Sequence, residues 1–122
     1  MKISGLGNIF REVAERALAF GMRVLAVRRQ QIIPNGLDIQ LVDLPTLLTE
    51  SDFISINAAL NEETHHMIGE RELEMMKESA ILINTARGAI IDEDALHRTL
   101  LDNRIAGAGI DVFSEEKTVN LI

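Results

Sequence analysis

The first thirty residues constrain the fold of this chain more than any other stretch. A short apolar strand from Ile3 runs into a turn that contains Gly5 and Gly7. Apolar residues then recur at three- and four-residue spacing, which predicts a helix that ends at Gly21. The segment Arg23–Val27 has the continuous apolar character of a buried strand. Strand, glycine turn, helix and strand form a βαβ unit, which begins a parallel sheet.

The glycine turn has two interpretations. In a dinucleotide site, Gly5 permits the sharp turn and Gly7 lets a pyrophosphate lie against bare backbone. The N–H groups of Asn8 and Ile9 then point at that anion from the helix N-terminus. Phe10 stands where the motif requires a third small residue, so the fingerprint is incomplete. The alternative is a βα turn that uses glycine only for its backbone angles.

The rest of the chain alternates short strands with helices. The patterns predict a few extended residues in Leu37–Val42, a helix over 44–48 with Asp43 as N-cap, strands at Asp52–Asn57, Ser79–Thr85 and Ile105–Phe113, helical segments at Glu62–Met67 and Glu70–Met76, and a helix at Asp92–Leu101. This alternation predicts an α/β fold, a Rossmann-like doubly wound parallel sheet of about five strands with helices on both faces. We expect residues 1–122 to form one domain.

Composition excludes several classes of function. The chain carries 12 Lys and Arg against 19 Asp and Glu, a net charge of −7, and its largest basic cluster is the pair Arg28–Arg29. This balance argues against nucleic acid and anionic membranes as partners. The sequence contains no cysteine, which fits a cytoplasmic protein, and its apolar runs are too short to span a bilayer. His65 and His66 are adjacent and lack a third ligand, so we expect no metal site.

Polar residues follow the predicted strands at their carboxyl ends, where ligands bind in such sheets. Arg87 lies in a tight turn and could bind a carboxylate in bidentate fashion, or it could be a surface arginine that covers a helix terminus. Asp111 could contact a ligand or cap a backbone turn. Arg28, twenty residues after Asn8, stands with Arg29 where an acidic residue usually binds the adenine ribose. Basic residues there favour NADP, unless both arginines merely face solvent.

Several stretches together resemble one family, the NAD-binding domain of the D-isomer-specific 2-hydroxyacid dehydrogenases, which includes glyoxylate and hydroxypyruvate reductases. The matching segments include Gly5-Leu-Gly-Asn-Ile, Leu82-Ile-Asn-Thr-Ala-Arg-Gly-Ala-Ile-Ile-Asp-Glu-Asp-Ala-Leu and Ile105-Ala-Gly-Ala-Gly-Ile-Asp-Val-Phe. They cover nearly the whole chain, in order and at matching spacing. The resemblance implies an oxidoreductase domain that binds NAD or NADP, and the arginine pair favours NADP.

The resemblance also implies a role for individual residues. It places Asn8 and Ile9 at the pyrophosphate, position 28 at the adenine ribose, Thr85, Ala86 and Arg87 on the nicotinamide side, and Asp111 at the carboxamide. In the family, the residue matching Arg87 binds the substrate carboxylate. The glutamate matching Glu116 raises the basicity of a catalytic histidine, which relays the proton during hydride transfer.

By the same resemblance, this chain lacks the substrate domain, the final strand and the segment that carries the catalytic histidine. None of its three histidines stands where that residue should be. We therefore expect a homodimeric domain that binds a dinucleotide, is inactive alone, and binds a 2-hydroxy or 2-keto acid only when a substrate domain is supplied. The alternatives are a non-catalytic dinucleotide-sensing or dimerisation module, and a decayed fragment that binds no cofactor.

Overall fold

The computed structural model describes residues 2–3, 8–27, 36–57, 62–85 and 87–110. Strands and helices alternate along these residues: β1 (Lys2–Ile3), α1 (Asn8–Ala19), β2 (Val24–Val27), β3 (Ile39–Leu41), α2 (Leu44–Glu50), β4 (Phe53–Ile56), α3 (Glu70–Met75), β5 (Ile81–Asn84), a 3₁₀ turn (Gly88–Ile90), α4 (Glu93–Leu101) and β6 (Gly107–Ile110). In the described part of the chain, no helix is long and apolar enough to cross a membrane.

The strands form one sheet in the order β3-β2-β1-β4-β5-β6, and every neighbouring pair is parallel. The prediction of a doubly wound α/β sheet is confirmed. The sixth strand is β3, which forms from the few extended residues expected near position 40. Strand order reverses between β1 and β4, so the crevice that such sheets use for ligands opens at the carboxyl ends of these two strands.

Alternate residues of β2 contribute to two separate cores, one on each face of the sheet. Val24 and Ala26 belong to a small core with residues of α1. Leu25 belongs to the larger core, which includes Leu47 of α2 and Leu96 of α4. Because side chains alternate along a strand, α1 covers one face while α2 and α4 cover the other.

Residues with special backbone geometry end the two longest helices. Gly21 has φ +78° after α1, and the N–H groups of Gly21 and Met22 donate to Leu18 and Ala17. Asn103, with φ +54°, occupies the same position after α4. Both ends are Schellman motifs, in which a left-handed residue lets the chain satisfy the last helical carbonyls.

The first turn of α2 is capped by a side chain, as predicted. The carboxylate of Asp43 accepts from the N–H of Thr46 at 2.8 Å, and Pro45 lies in the first turn. These hydrogen bonds to Thr46 lower the pKa of Asp43 below its ordinary value, because they favour the charged form.

The helix predicted at Glu62–Met67 is wrong. These residues form consecutive turns, and His66 adopts φ +50°, which a regular helix does not allow. The N–H of His66 donates to Ala89 at 2.8 Å, and the following residue but one, Ile68, pairs with Ile91 as an isolated parallel bridge. Pairing with a distant segment replaces the local helical hydrogen bonds.

Candidate functional site

The turn after β5 is fixed by a buried amide. Asn84, the last residue of β5, is fully buried, and its Nδ2 donates to the carbonyl oxygen of Arg87 at 2.9 Å. The same carbonyl accepts from the N–H of Ile90 at 3.2 Å, which closes the 3₁₀ turn. Ile90 is itself fully buried and anchors the far side of the turn. Two hydrogen bonds therefore hold the backbone of Arg87 between strand and core.

The side chains of Thr85 and Arg87 are exposed at this end of the sheet. The arginine combines a fixed backbone with a guanidinium at the surface, which is the arrangement that a bidentate grip on a carboxylate requires. The sequence predicts Thr85 and Arg87 as site residues but no role for Asn84. Its position at the end of an apolar strand was the available signal, because a polar residue in such a strand needs an internal partner.

Asn57 lies beside this turn, directly after β4. Its Nδ2 donates to the backbone carbonyl and to the hydroxyl of Ser55, both at 3.2 Å. Its Oδ1 is buried and has no hydrogen-bond partner among the described residues. β4 borders the crevice where strand order reverses. The site thus contains an acceptor that suits a ligand carrying hydroxyl or amide hydrogens.

The N-terminus of α1 opens into the same crevice. The helix begins at Asn8, shortly after β1, and its first turn contains no acidic residue. No carboxylate of the helix's own first turn therefore neutralises the positive end of the helix dipole. A helix N-terminus of this kind attracts anions, and the roles of Asn8 and Ile9 at a pyrophosphate stay predictions.

Phe10 is packed into the fold. Its side chain is 7% exposed and belongs to the small core with Ala14, Ala17, Val24 and Ala26. Three of these four neighbours are alanines, which leave room for a phenyl ring between helix and sheet. The incomplete glycine fingerprint is thus accommodated by small residues elsewhere in that core.

The remaining predicted site residues lie outside the described residues: Gly5, Gly7, Arg28, Arg29, Ala86, Asp111 and Glu116. Their roles stay predictions. Within the described ranges, no group of three His, Asp or Glu side chains could hold a metal ion. The rings of His65 and His66 stack on each other with centroids 4.1 Å apart.

A parallel sheet in this strand order, with a helix N-terminus at its switch point, defines a Rossmann-type dinucleotide-binding domain. The family model for the NAD-binding domain of D-isomer specific 2-hydroxyacid dehydrogenases matches residues 1–121. The chain belongs to this family, and the family resemblance seen in the sequence is confirmed.

Known relatives agree with this assignment. A glyoxylate reductase of Thermococcus litoralis is 48% identical over 120 residues, which cover 97% of this chain and 36% of the relative. A D-lactate dehydrogenase of Aquifex aeolicus, solved with NAD and lactic acid, superposes with a TM-score of 0.87 at 36% identity, covering 98% of this chain and 39% of that one. An acyclic imino acid reductase solved with NADPH and D-Arg gives 0.88 at 41% identity, covering 97% and 38%. The chain therefore spans little more than a third of the length of these proteins, and NAD or NADP fits its site.

Proposed function

We propose that this domain binds a nicotinamide dinucleotide for hydride transfer between a 2-hydroxy acid and the corresponding 2-keto acid. The observation that carries the proposal is the hydrogen bond from Asn84 to the backbone carbonyl of Arg87, which fixes the backbone of an exposed arginine just after the carboxyl end of β5. The bound nicotinamide gives or takes the hydride. The chain's own residues bind and orient: the N-terminus of α1 receives the pyrophosphate, and Arg87 holds the substrate carboxylate.

The proposed role of Arg87 is tested with oxalate, which presents the carboxylate of a 2-keto acid but cannot be reduced. Because we expect such acids to bind only with a substrate domain, oxalate is titrated into the NADPH-saturated chain joined to the substrate domain of the glyoxylate reductase of Thermococcus litoralis, and binding is followed by NMR. Replacing Arg87 with Gln removes a bidentate ion pair, so we expect the dissociation constant for oxalate to rise about tenfold or more. The matched control is Arg71→Gln, an exposed arginine on α3. Equal affinities in the two variants contradict the role of Arg87.

We also propose that the domain prefers NADPH because Arg28 and Arg29 follow β2. Double substitution with Ser removes both positive charges from the adenosine side. The expected result is a loss of NADPH affinity of about tenfold or more, with NADH affinity little changed. An equal loss of affinity for NADPH and NADH would show that the arginines do not recognise the 2′-phosphate.

Hydride transfer also needs a group that relays the proton. By the family resemblance Glu116 acts through a histidine, and we infer that turnover requires this histidine and a substrate domain together with residues 1–122. Loss of a general acid–base group costs on the order of 10²–10⁴-fold in rate. The chain mixed with NADPH and glyoxylate should therefore show no oxidation of NADPH above background. Sustained turnover by the chain alone would contradict this inference.

We propose a cytoplasmic homodimer as the working state. The lack of cysteine fits a reducing compartment. Among the described strands, β6 lies at the edge of the sheet, and Leu101 at the end of α4 is 64% exposed. An edge strand and an exposed leucine are features that a second copy can cover. Sedimentation equilibrium gives the mass, and a monomer at all concentrations contradicts the dimer.

A further inference from the structure

The turn that carries Arg87 is held by a second segment of the chain. The N–H of His66 donates to the carbonyl oxygen of Ala89 at 2.8 Å, and the N–H of Ile68 donates to that of Ile90 at 3.1 Å. Both acceptors belong to the backbone that comes directly after Arg87. The segment His66–Ile68 is therefore fastened to the turn by backbone hydrogen bonds.

Buried isoleucines reinforce this attachment. Ile68 is fully buried and pairs with Ile91, which is 1% exposed, as a parallel bridge. The carbonyl of Ile68 also accepts from the N–H of Asp92 at 2.9 Å. On the strand side of the turn, Asn84 donates to the carbonyl of Arg87 at 2.9 Å. The backbone of the turn is thus held by β5 at its start and by the segment His66–Ile68 after it.

A β-turn with an unusual third residue brings this segment into place. The N–H of Met67 donates to the carbonyl of Thr64 at 3.0 Å, and His66, the third residue of the turn, has φ +50°. Glycine or asparagine usually occupies such a position, because the Cβ of other residues disfavours the left-handed region. The rings of His65 and His66 stack with centroids 4.1 Å apart and planes at 16°. Stacking of aromatic rings offsets part of the cost of this backbone conformation.

We propose that His66 is a positioning residue for the carboxylate site. Its left-handed backbone holds the segment His66–Ile68 against the turn, and the turn holds Arg87 ready to bind a carboxylate. This inference rests on the proposed function, which assigns the carboxylate to Arg87. A binding group that is ordered before its ligand arrives loses less entropy on binding. Release of the segment should therefore raise the apparent dissociation constant as the fraction of chains with an ordered turn falls.

The experiment releases the segment by replacing His66 with Pro. Proline has no N–H to donate to Ala89, and its ring fixes φ at about −65°. His66→Asn also removes the imidazole, but it keeps the N–H and tolerates the left-handed region. In the 122-residue chain, the amide of Ile90, which donates to Arg87, should exchange about tenfold faster in His66→Pro than in His66→Asn.

The second readout is oxalate affinity in the NADPH-saturated chain joined to the substrate domain, as in the test of Arg87. The oxalate dissociation constant should be about tenfold higher in His66→Pro than in His66→Asn, because oxalate must then order the turn as it binds.

The matched control is Asn103→Pro. Asn103 also has a positive φ, +54°, and its N–H also donates to a backbone carbonyl, that of Leu100 at 3.2 Å. It follows α4, whose nine residues extend about 14 Å from the end that lies next to the turn. Proline at either position should lower the urea midpoint. Only His66→Pro should change the exchange of Ile90 and the affinity for oxalate.

The two readouts separate the parts of the proposal. Equal exchange of Ile90 in His66→Pro and His66→Asn overturns the attachment, and this measurement needs neither oxalate nor cofactor. Faster exchange with equal oxalate affinity overturns the positioning role, and so does an equal loss of oxalate affinity in Asn103→Pro. If the unaltered joined chain binds no oxalate, the proposed function fails and the positioning role with it, while the exchange rates still decide the attachment.

A milder substitution covers the case in which His66→Pro does not fold. His66→Ala keeps the N–H but disfavours a positive φ, so Ile90 should exchange about threefold faster than in His66→Asn. Equal rates in these two chains would likewise overturn the attachment.

Discussion

Replacing Asn84 with Ala tests whether this buried amide holds the turn of the candidate site. The substitution removes the donor that bonds the carbonyl of Arg87 at 2.9 Å inside a fully buried position. The carbonyl of Arg87 keeps the N–H of Ile90 as a donor, so the cost is one buried hydrogen bond and the space left by the amide, together about 1–3 kcal/mol. We expect a loss of about 2 kcal/mol, which at an m-value of about 2 kcal/mol/M lowers the urea midpoint by about 1 M.

The matched control is Asn57→Ala, a second asparagine at the same end of the sheet. Its side chain is only half-buried. Within the described ranges its amide nitrogen bonds Ser55 alone, at 3.2 Å, and its Oδ1 has no partner. We expect its urea midpoint to fall by about 0.3 M or less. Hydrogen exchange adds a local readout, because the N–H groups of Ile90 and Ile91 close the 3₁₀ turn and should exchange faster in Asn84→Ala. Equal midpoints for the two variants, with Ile90 still protected, would refute the reasoning.

Three further substitutions test the packing and the helix ends by urea unfolding. Phe10→Ala should lower the free energy of unfolding by about 3 kcal/mol because the ring is buried. Phe20 is 83% exposed, so Phe20→Ala should change it very little. Similar losses of stability in the two variants would contradict the core position of Phe10. Gly21→Ala forces a side chain to φ +78° and should cost about 1 kcal/mol, while Gly107→Ala, whose Cβ meets nothing within 4 Å, should be neutral or stabilising. Asp43→Ala should destabilise the chain at neutral pH. Folding lowers the pKa of Asp43, so the stabilisation by its carboxylate is complete at pH values above the ordinary pKa of 3.8 and is lost as the pH falls through the folded-state pKa. The urea midpoints of the two chains should therefore become equal in acid. A difference in midpoint that does not change with pH would argue against the cap.

Local signals predicted most of the fold correctly. Gly21 after an amphipathic run and Asp43 before Pro45 are helix-end signals that depend on a few neighbouring residues, and both positions behave as expected. The apolar run at Ile81–Asn84 likewise needed only its composition to be recognised as a central strand.

The failures have a tertiary origin. Glu62, Glu63 and Met67 favour a helix, but the N–H groups of His66 and Ile68 donate to the carbonyls of Ala89 and Ile90, more than twenty residues away. No local sequence pattern predicts that pairing. The same holds for the candidate site. Arg87 could be predicted from the turn in its local sequence, whereas the hydrogen bond that the buried Asn84 donates to it is seen only in the folded structure. The core position of Phe10 also depends on residues from other elements, Val24 and Ala26 of β2 and Ile39 of β3.

The central claim is that this chain is a dinucleotide-binding domain, and calorimetric titration with NADPH and NADH tests it most directly. The account predicts saturable binding of one molecule per chain, tighter for NADPH than for NADH. Saturable binding would show that Phe10 leaves the cofactor site intact. No saturable signal with either dinucleotide, by calorimetry or by NMR shifts at the start of α1, would contradict the claim.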